Sequence, residues 1–162
     1  MKQFAYLCLI LVGGLVSFVS PALGKGDFPL FFIERSKNRN IVQYSMRPSG
    51  EVVAYWVLEN GEERGLTAVQ RKFAYGIKSQ RKLGKDRFEI ILTAFKKRNI
   101  LVKKTRDGYR AFVTIDGQEA VLDKIHVESR ERWFGMPKVL FIDLFGRSSR
   151  KNFPIGERIY PH

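Results

Sequence analysis

Thiol chemistry is almost absent from this chain. Its one cysteine, Cys8, lies inside an apolar run near the start, and everything after it is cysteine-free. Disulfides, thiolate metal sites and cysteine nucleophiles are therefore excluded from the remainder. Histidine is nearly as scarce, with only His126 and His162. No HExxH motif or paired-histidine spacing is present, so no metal site and no cofactor are expected. Serine catalysis lacks its signature as well, because no GxSxG elbow occurs and Ser36 has no neighbouring histidine.

Long hydrophobic runs are also missing, with one exception. Phe4 to Val19 is almost wholly apolar and uncharged, follows Lys2, and leads to Ala22-Leu23-Gly24. That order of charge, apolar run and small residues is a secretory leader. The run is short of the roughly 20 residues that a spanning helix needs. Residues 1–24 are accordingly expected to be a signal peptide cleaved near Gly24, and residues 25–162 a single exported domain, periplasmic or secreted. The remaining chain is long enough to bury a core without staples.

Acidic residues are few. The chain carries 29 Lys and Arg against 16 Asp and Glu, a net charge of +13. The excess concentrates between Lys78 and Arg106, where eleven basic residues face only Asp86 and Glu89. Such a field attracts phosphate- or carboxylate-rich partners. With export expected, the partner is an anionic envelope component or a small polar ligand, with peripheral membrane contact possible in principle, and not intracellular nucleic acid. A merely solvated basic surface is the plainer alternative.

What is abundant is β-pattern. Short runs rich in β-branched and aromatic residues alternate with turn signals. Strands are predicted over Phe28–Arg35, Ile41–Arg47, Val52–Glu59, Phe88–Phe95, Ile100–Lys104, Tyr109–Ile115, Ala120–Val127 and Val139–Phe145, with a weaker one over Ile77–Arg81. Asn60-Gly61, Asp107-Gly108 and Asp116-Gly117 are hairpin signals, since these pairs accept positive φ. One short helix is predicted at Thr67-Ala68-Val69-Gln70, which reads as a capping box. Leu66, Val69 and Phe73 form its apolar stripe, and Gly76 is expected to end it in the left-handed region. The segment from Glu128 to Pro137, with Trp133 and Phe134, reads as a loop, and Arg147–His162 as a tail over the surface. The predicted fold is mainly β, an antiparallel barrel or barrel-like sandwich of about eight strands with one short helix.

The densest polar cluster follows the first strand, at Glu34-Arg35-Ser36-Lys37-Asn38-Arg39-Asn40. Asparagines permit backbone that turns N–H groups inward, and the cations supply charge, so the cluster suits an anion. A plain polar turn is the alternative. Glu34 and Asp143 each interrupt an apolar strand, where desolvation raises a carboxyl pKa unless cations compensate. They are therefore candidates for a paired acid/base site, or else for ion pairs that fix strand register. Tyr55 is placed to share a pocket rim with Tyr44 and Tyr75, while Gln70 and Arg71 follow on the helix. His126 shares a strand face with Lys124 and Glu128 that reads as solvated.

These segments carry a resemblance. Phe31 to Asn40, Tyr55-Trp56, Gln70-Arg71-Lys72 with Ala74-Tyr75-Gly76, and Phe141-Ile142-Asp143-Leu144 look like an uncharacterised bacterial exported family, domain of unknown function four-eight-three-three. The resemblance spans nearly the whole chain after the leader. It implies export and a single domain, and no activity. The combined reading is an exported, cell-envelope binding module, leaning away from enzymes. Its expected ligand residues are Glu34, Arg35, Lys37, Asn38, Asn40, Tyr55, Gln70, Arg71 and Tyr75. A hydrolase or lyase on an envelope polymer, using Glu34 and Asp143, is the alternative, and a purely structural protein a third.

Overall fold

The computed structural model describes residues 26–35, 38–130 and 138–160. The expected leader, Ser36, Lys37, the Trp133-Phe134 stretch and His162 lie outside those residues. Eleven strands form one sheet: β1 (Phe28–Arg35), β2 (Ile41–Met46), β3 (Val52–Val57), β4 (Glu63–Gly65), β5 (Ile77–Gly84), β6 (Arg87–Leu92), β7 (Ile100–Thr105), β8 (Gly108–Ile115), β9 (Gln118–Arg130), β10 (Lys138–Ser148) and β11 (Pro154–Ile159). Every strand predicted from the sequence is present. The additions are β4, too short to carry a pattern, and β11, which replaces the expected surface tail.

Turn chemistry explains the hairpins. Gly61, Gly108 and Gly117 all have positive φ, and Asp116 joins them at 47°. Only glycine, or Asn and Asp at some cost, enters that region readily.

The path through the sheet runs β4-β3-β2-β1-β9-β8-β7-β6-β5, with β10 on β9 and β11 on β10. β9 organises this order. Ala120 pairs with Val113 of β8 on one side and Ser148 of β10 on the other, while Lys124 pairs with Phe32 of β1 and Phe145 of β10. One edge of β9 is thus divided between β8 and β1, and two arms of sheet diverge from it. The β1–β9 pairing is parallel, the single departure from the expected antiparallel order.

The arms do not close into a barrel, which corrects the expected barrel. Where closure would require a ladder, the Gln80 side chain of β5 takes its place. It accepts from the Val52 amide at 2.9 Å and donates to the Gly50 carbonyl at 2.6 Å.

The core fills the concave side. Phe31, Ile33, Val42, Tyr44, Met46, Ile90, Ile100, Val102, Leu122 and Leu144 are all buried. Phe31 stacks on Tyr44 with centroids 4.6 Å apart, and the Tyr44 hydroxyl donates to the Tyr75 carbonyl at 2.6 Å. Burial, together with the charge of Tyr75, pushes the Tyr44 hydroxyl far above its ordinary range.

The helix begins as expected. Thr67 Oγ1 accepts from the Gln70 amide, and the Gln70 side chain accepts from the Thr67 amide. After α1 (Ala68–Gln70) the chain widens into a π-turn, Arg71–Tyr75. Bonding from i to i+5 breaks the three-to-four spacing on which the predicted stripe depended. Leu66 remains buried, but Val69 and Phe73 are exposed at 62% and 56%. Tyr75 turns inward instead, with its ring edge-on to Trp56 at 5.2 Å.

Gly76 also serves a different purpose from the expected one. Its φ of −69° is ordinary, and a Cβ there would collide with the Arg71 carbonyl. Gly76→Ala should lower stability by about 1–3 kcal/mol, as overpacking does, read as a shift of the urea midpoint.

Candidate functional site

Strand register assembles a charged row that sequence spacing alone does not show. Glu34 of β1 pairs with His126 of β9, His126 with Asp143 of β10, and Asp143 with Arg158 of β11. Directly paired residues share a face, so four ionisable side chains stand side by side across four strands, opposite the core. Glu34 and Asp143 are therefore two strand spacings apart, about 10 Å between backbones, with the imidazole between them.

Each acid has a cation. Lys124 Nζ donates to Glu34 Oε1 at 2.8 Å, and His126 Nδ1 lies 3.2 Å from the same oxygen. A carboxylate at that distance calls for the proton on Nδ1. His126 Nε2 lies 3.7 Å from Glu128. Arg158 grips Asp143 with two bonds, 2.7 and 2.8 Å, and its guanidinium sits 3.8 Å over the Phe141 ring. Burial raises the Glu34 pKa, but hydrogen bonds and charge from Lys124 and His126 outweigh it, so the net shift is downward. The Arg158 bonds bring Asp143 down against a smaller opposing effect of burial.

Both carboxyls are thus held ionised near neutrality. A catalytic carboxylic acid needs the reverse, a raised pKa that keeps its proton. The row is built to hold charge in place, and it corrects the expectation that His126 occupies a merely solvated face: its side chain is only 23% exposed.

The described polar residues beyond Glu34 are engaged within the protein, by their own turn and by Glu59 and Ser129. Asn38 Oδ1 accepts from the Asn40 amide at 3.2 Å, and Asn40 Oδ1 accepts from the Glu59 amide at 2.9 Å. Arg35 donates to Ser129 Oγ at 3.3 Å. Arg39 and Glu59 pair in open solvent, where such contacts contribute little. Lys37 lies outside the described residues.

Tyr55 and Arg71 lie elsewhere, in an open groove of about 540 Å³ between β3, β4 and the start of β5. Tyr55 does not share a rim with Tyr44 and Tyr75 as expected. Neighbouring residues of a strand point to opposite faces, so Tyr44 and Trp56 face the core while Tyr55 faces out, its hydroxyl 3.1 Å from Ser45 Oγ. Burial raises the Tyr55 pKa, Ser45 opposes this, and the charges of Glu63 and Asp27 add to it. Gln70 is engaged on the core side, accepting from Trp56 Nε1 at 3.2 Å.

The nine expected ligand residues therefore do not converge. Tyr55 and Arg71 line the groove, Gln70 and Tyr75 pack on the core side of β3, and Glu34 belongs to the charged row. Sequence reasoning missed Asp27 and Glu63 in the groove and Lys124, His126 and Arg158 in the row. The alternation Lys124, His126, Glu128 signalled a shared face, but its partners depend on long-range register.

Among the described residues, no group of three or more His, Cys, Asp or Glu could hold a metal ion.

Loss of the Asp143–Arg158 pair has a pH signature. A folded pKa below the unfolded value, about 3.9, stabilises above that pH and ceases to as pH falls through the folded pKa. Asp143→Asn should melt below wild type at pH 7, and the gap should close as the buffer is taken below about pH 4.

A family model described as "Domain of unknown function (DUF4833)" matches residues 31–158. No curated protein and no solved structure matches the chain.

Proposed function

Since the chain belongs to the DUF4833 family, which prescribes no chemistry, we propose from its geometry that it is an exported binding module of the cell envelope. In this reading the groove beside Arg71 takes a small polar ligand, and the basic surface holds anionic partners. The observation that carries it is the groove's charge arrangement. Arg64 is engaged by Glu62 and Arg47 by Glu51, whereas the Arg71 guanidinium has no ion-pair partner among the described residues. Glu63 and Asp27, likewise without an ion pair there, line the same groove. A ligand bearing both an anionic and a cationic or hydroxyl group would satisfy both signs, with Val53 and Ile77 as apolar walls.

A thermal-shift screen against envelope glycan fragments, amino acids and phosphates tests this reading. Ligand at about 100 times its Kd should add roughly 2.7 kcal/mol of stability, and Arg71→Ala should abolish most of the melting shift. A ligand that shifts wild type and Arg71→Ala equally binds elsewhere, and the groove assignment then fails.

The second reading, a hydrolase or lyase on an envelope polymer using Glu34 and Asp143, draws its support from the imidazole standing between the two. With both carboxyls held ionised, His126 would have to move the proton in that reaction. Turnover that survives His126→Gln would dispose of it.

A further inference from the structure

The outer face of the arm formed by β8, β7, β6 and β5 carries a row of like charges. Arg87 of β6 pairs directly with Lys103 of β7, and Lys103 pairs directly with Arg110 of β8. Like charges placed opposite one another on neighbouring strands destabilise a sheet. Lys103 is partly compensated, lying 3.9 Å from the Phe112 ring centroid and 3.3 Å from Glu119. Arg87 and Arg110 have no ion-pair partner among the described residues. Of the neighbouring acids, Glu89 is taken by Arg81 at 2.8 Å and Asn99 at 2.9 Å, and Asp123 by Arg147 at 3.2 Å.

We propose that Arg87, Lys103 and Arg110 form a binding row for a linear polyanion with closely spaced phosphate groups. Strand spacing sets the backbones of the three cationic residues about 5 Å apart in a line, and two of the three are guanidinium forks suited to bidentate phosphate contact. Lys85 and Arg106, exposed in the turns beside the row, extend the positive field at its end. A linear polymer fits better than a bilayer surface. The apolar neighbours on this face, Ile91, Leu101, Phe112 and Val121, are half-buried, and Phe112 lies beneath Lys103, so no apolar side chain of the row reaches past the cations to enter hydrocarbon. This inference rests on the basic-surface half of the reading above and names its partner.

The test uses the whole protein with long-chain inorganic polyphosphate, followed by fluorescence anisotropy over a salt series. Wild type should bind, with affinity falling steeply as salt rises. Arg87→Gln/Arg110→Gln should bind at least tenfold more weakly, yet melt no lower than wild type, because the repulsion has been relieved. Lys96→Gln/Lys97→Gln removes the same charge from an exposed turn and should bind within about twofold of wild type if the row is specific. Equal weakening in both double variants would show a general charge effect and overturn the row. Undiminished binding by Arg87→Gln/Arg110→Gln would overturn it while leaving the basic-surface reading in place. No binding by wild type would overturn both. Tighter, row-dependent capture by phosphatidylglycerol vesicles than by polyphosphate would replace the polymer with a lipid surface.

Discussion

Pairing along both edges of β9 is the constraint on which the remaining geometry depends. β10 runs antiparallel along one edge, while the other edge is given first to β8 and then, in parallel, to β1. A shift of one residue in any of these ladders would reverse the faces of the moved strand. Phe31, Ile33 and Leu144 would leave the core, and Glu34 and Asp143 would enter it. The cost of exposing those apolar side chains, roughly 1.5–3 kcal/mol each, is what fixes the charged row. The outer-face chemistry is therefore positioned by hydrophobic burial on the opposite face.

That dependence separates two uses of charge. In the Glu34–His126–Asp143–Arg158 row, each acid meets a cation or a hydrogen-bonding neighbour across strands, and both acids are held ionised. In the Arg87–Lys103–Arg110 row, like signs are set side by side and only the middle one is substantially compensated. The first arrangement supports the fold and the second opposes it. The groove between the arms is intermediate, lined by residues of both signs.

Features decided within a few residues were legible in the sequence. The Thr67–Gln70 capping box and the glycine turns at 61, 108 and 117 need only local backbone preferences, and all are as expected. The strands were found from alternation and turn spacing. The parallel β1–β9 pairing was not legible, because nothing in Phe28–Arg35 identifies a partner some ninety residues away. Pro154–Ile159 was missed because it alternates between exposed and half-buried positions, without the apolar run that marks other strands. The helix face was misjudged because the π-turn changes the period at Arg71. The expected single pocket divided for the same reason as the row was hidden: adjacency among Glu34, Tyr55 and Arg71 is a question of register and face.

Gln80 marks a seam in the sheet. Where a further ladder would have fastened β3 to β5, two side-chain hydrogen bonds take its place, each contributing about 0.5–1.5 kcal/mol net. The arms are therefore joined at Val52 by side-chain contacts and not by a ladder. Val52 and Ile77, from either side of that seam, also wall the groove. A molecule lodged there would touch both sides of the seam and fasten the arms where no ladder does.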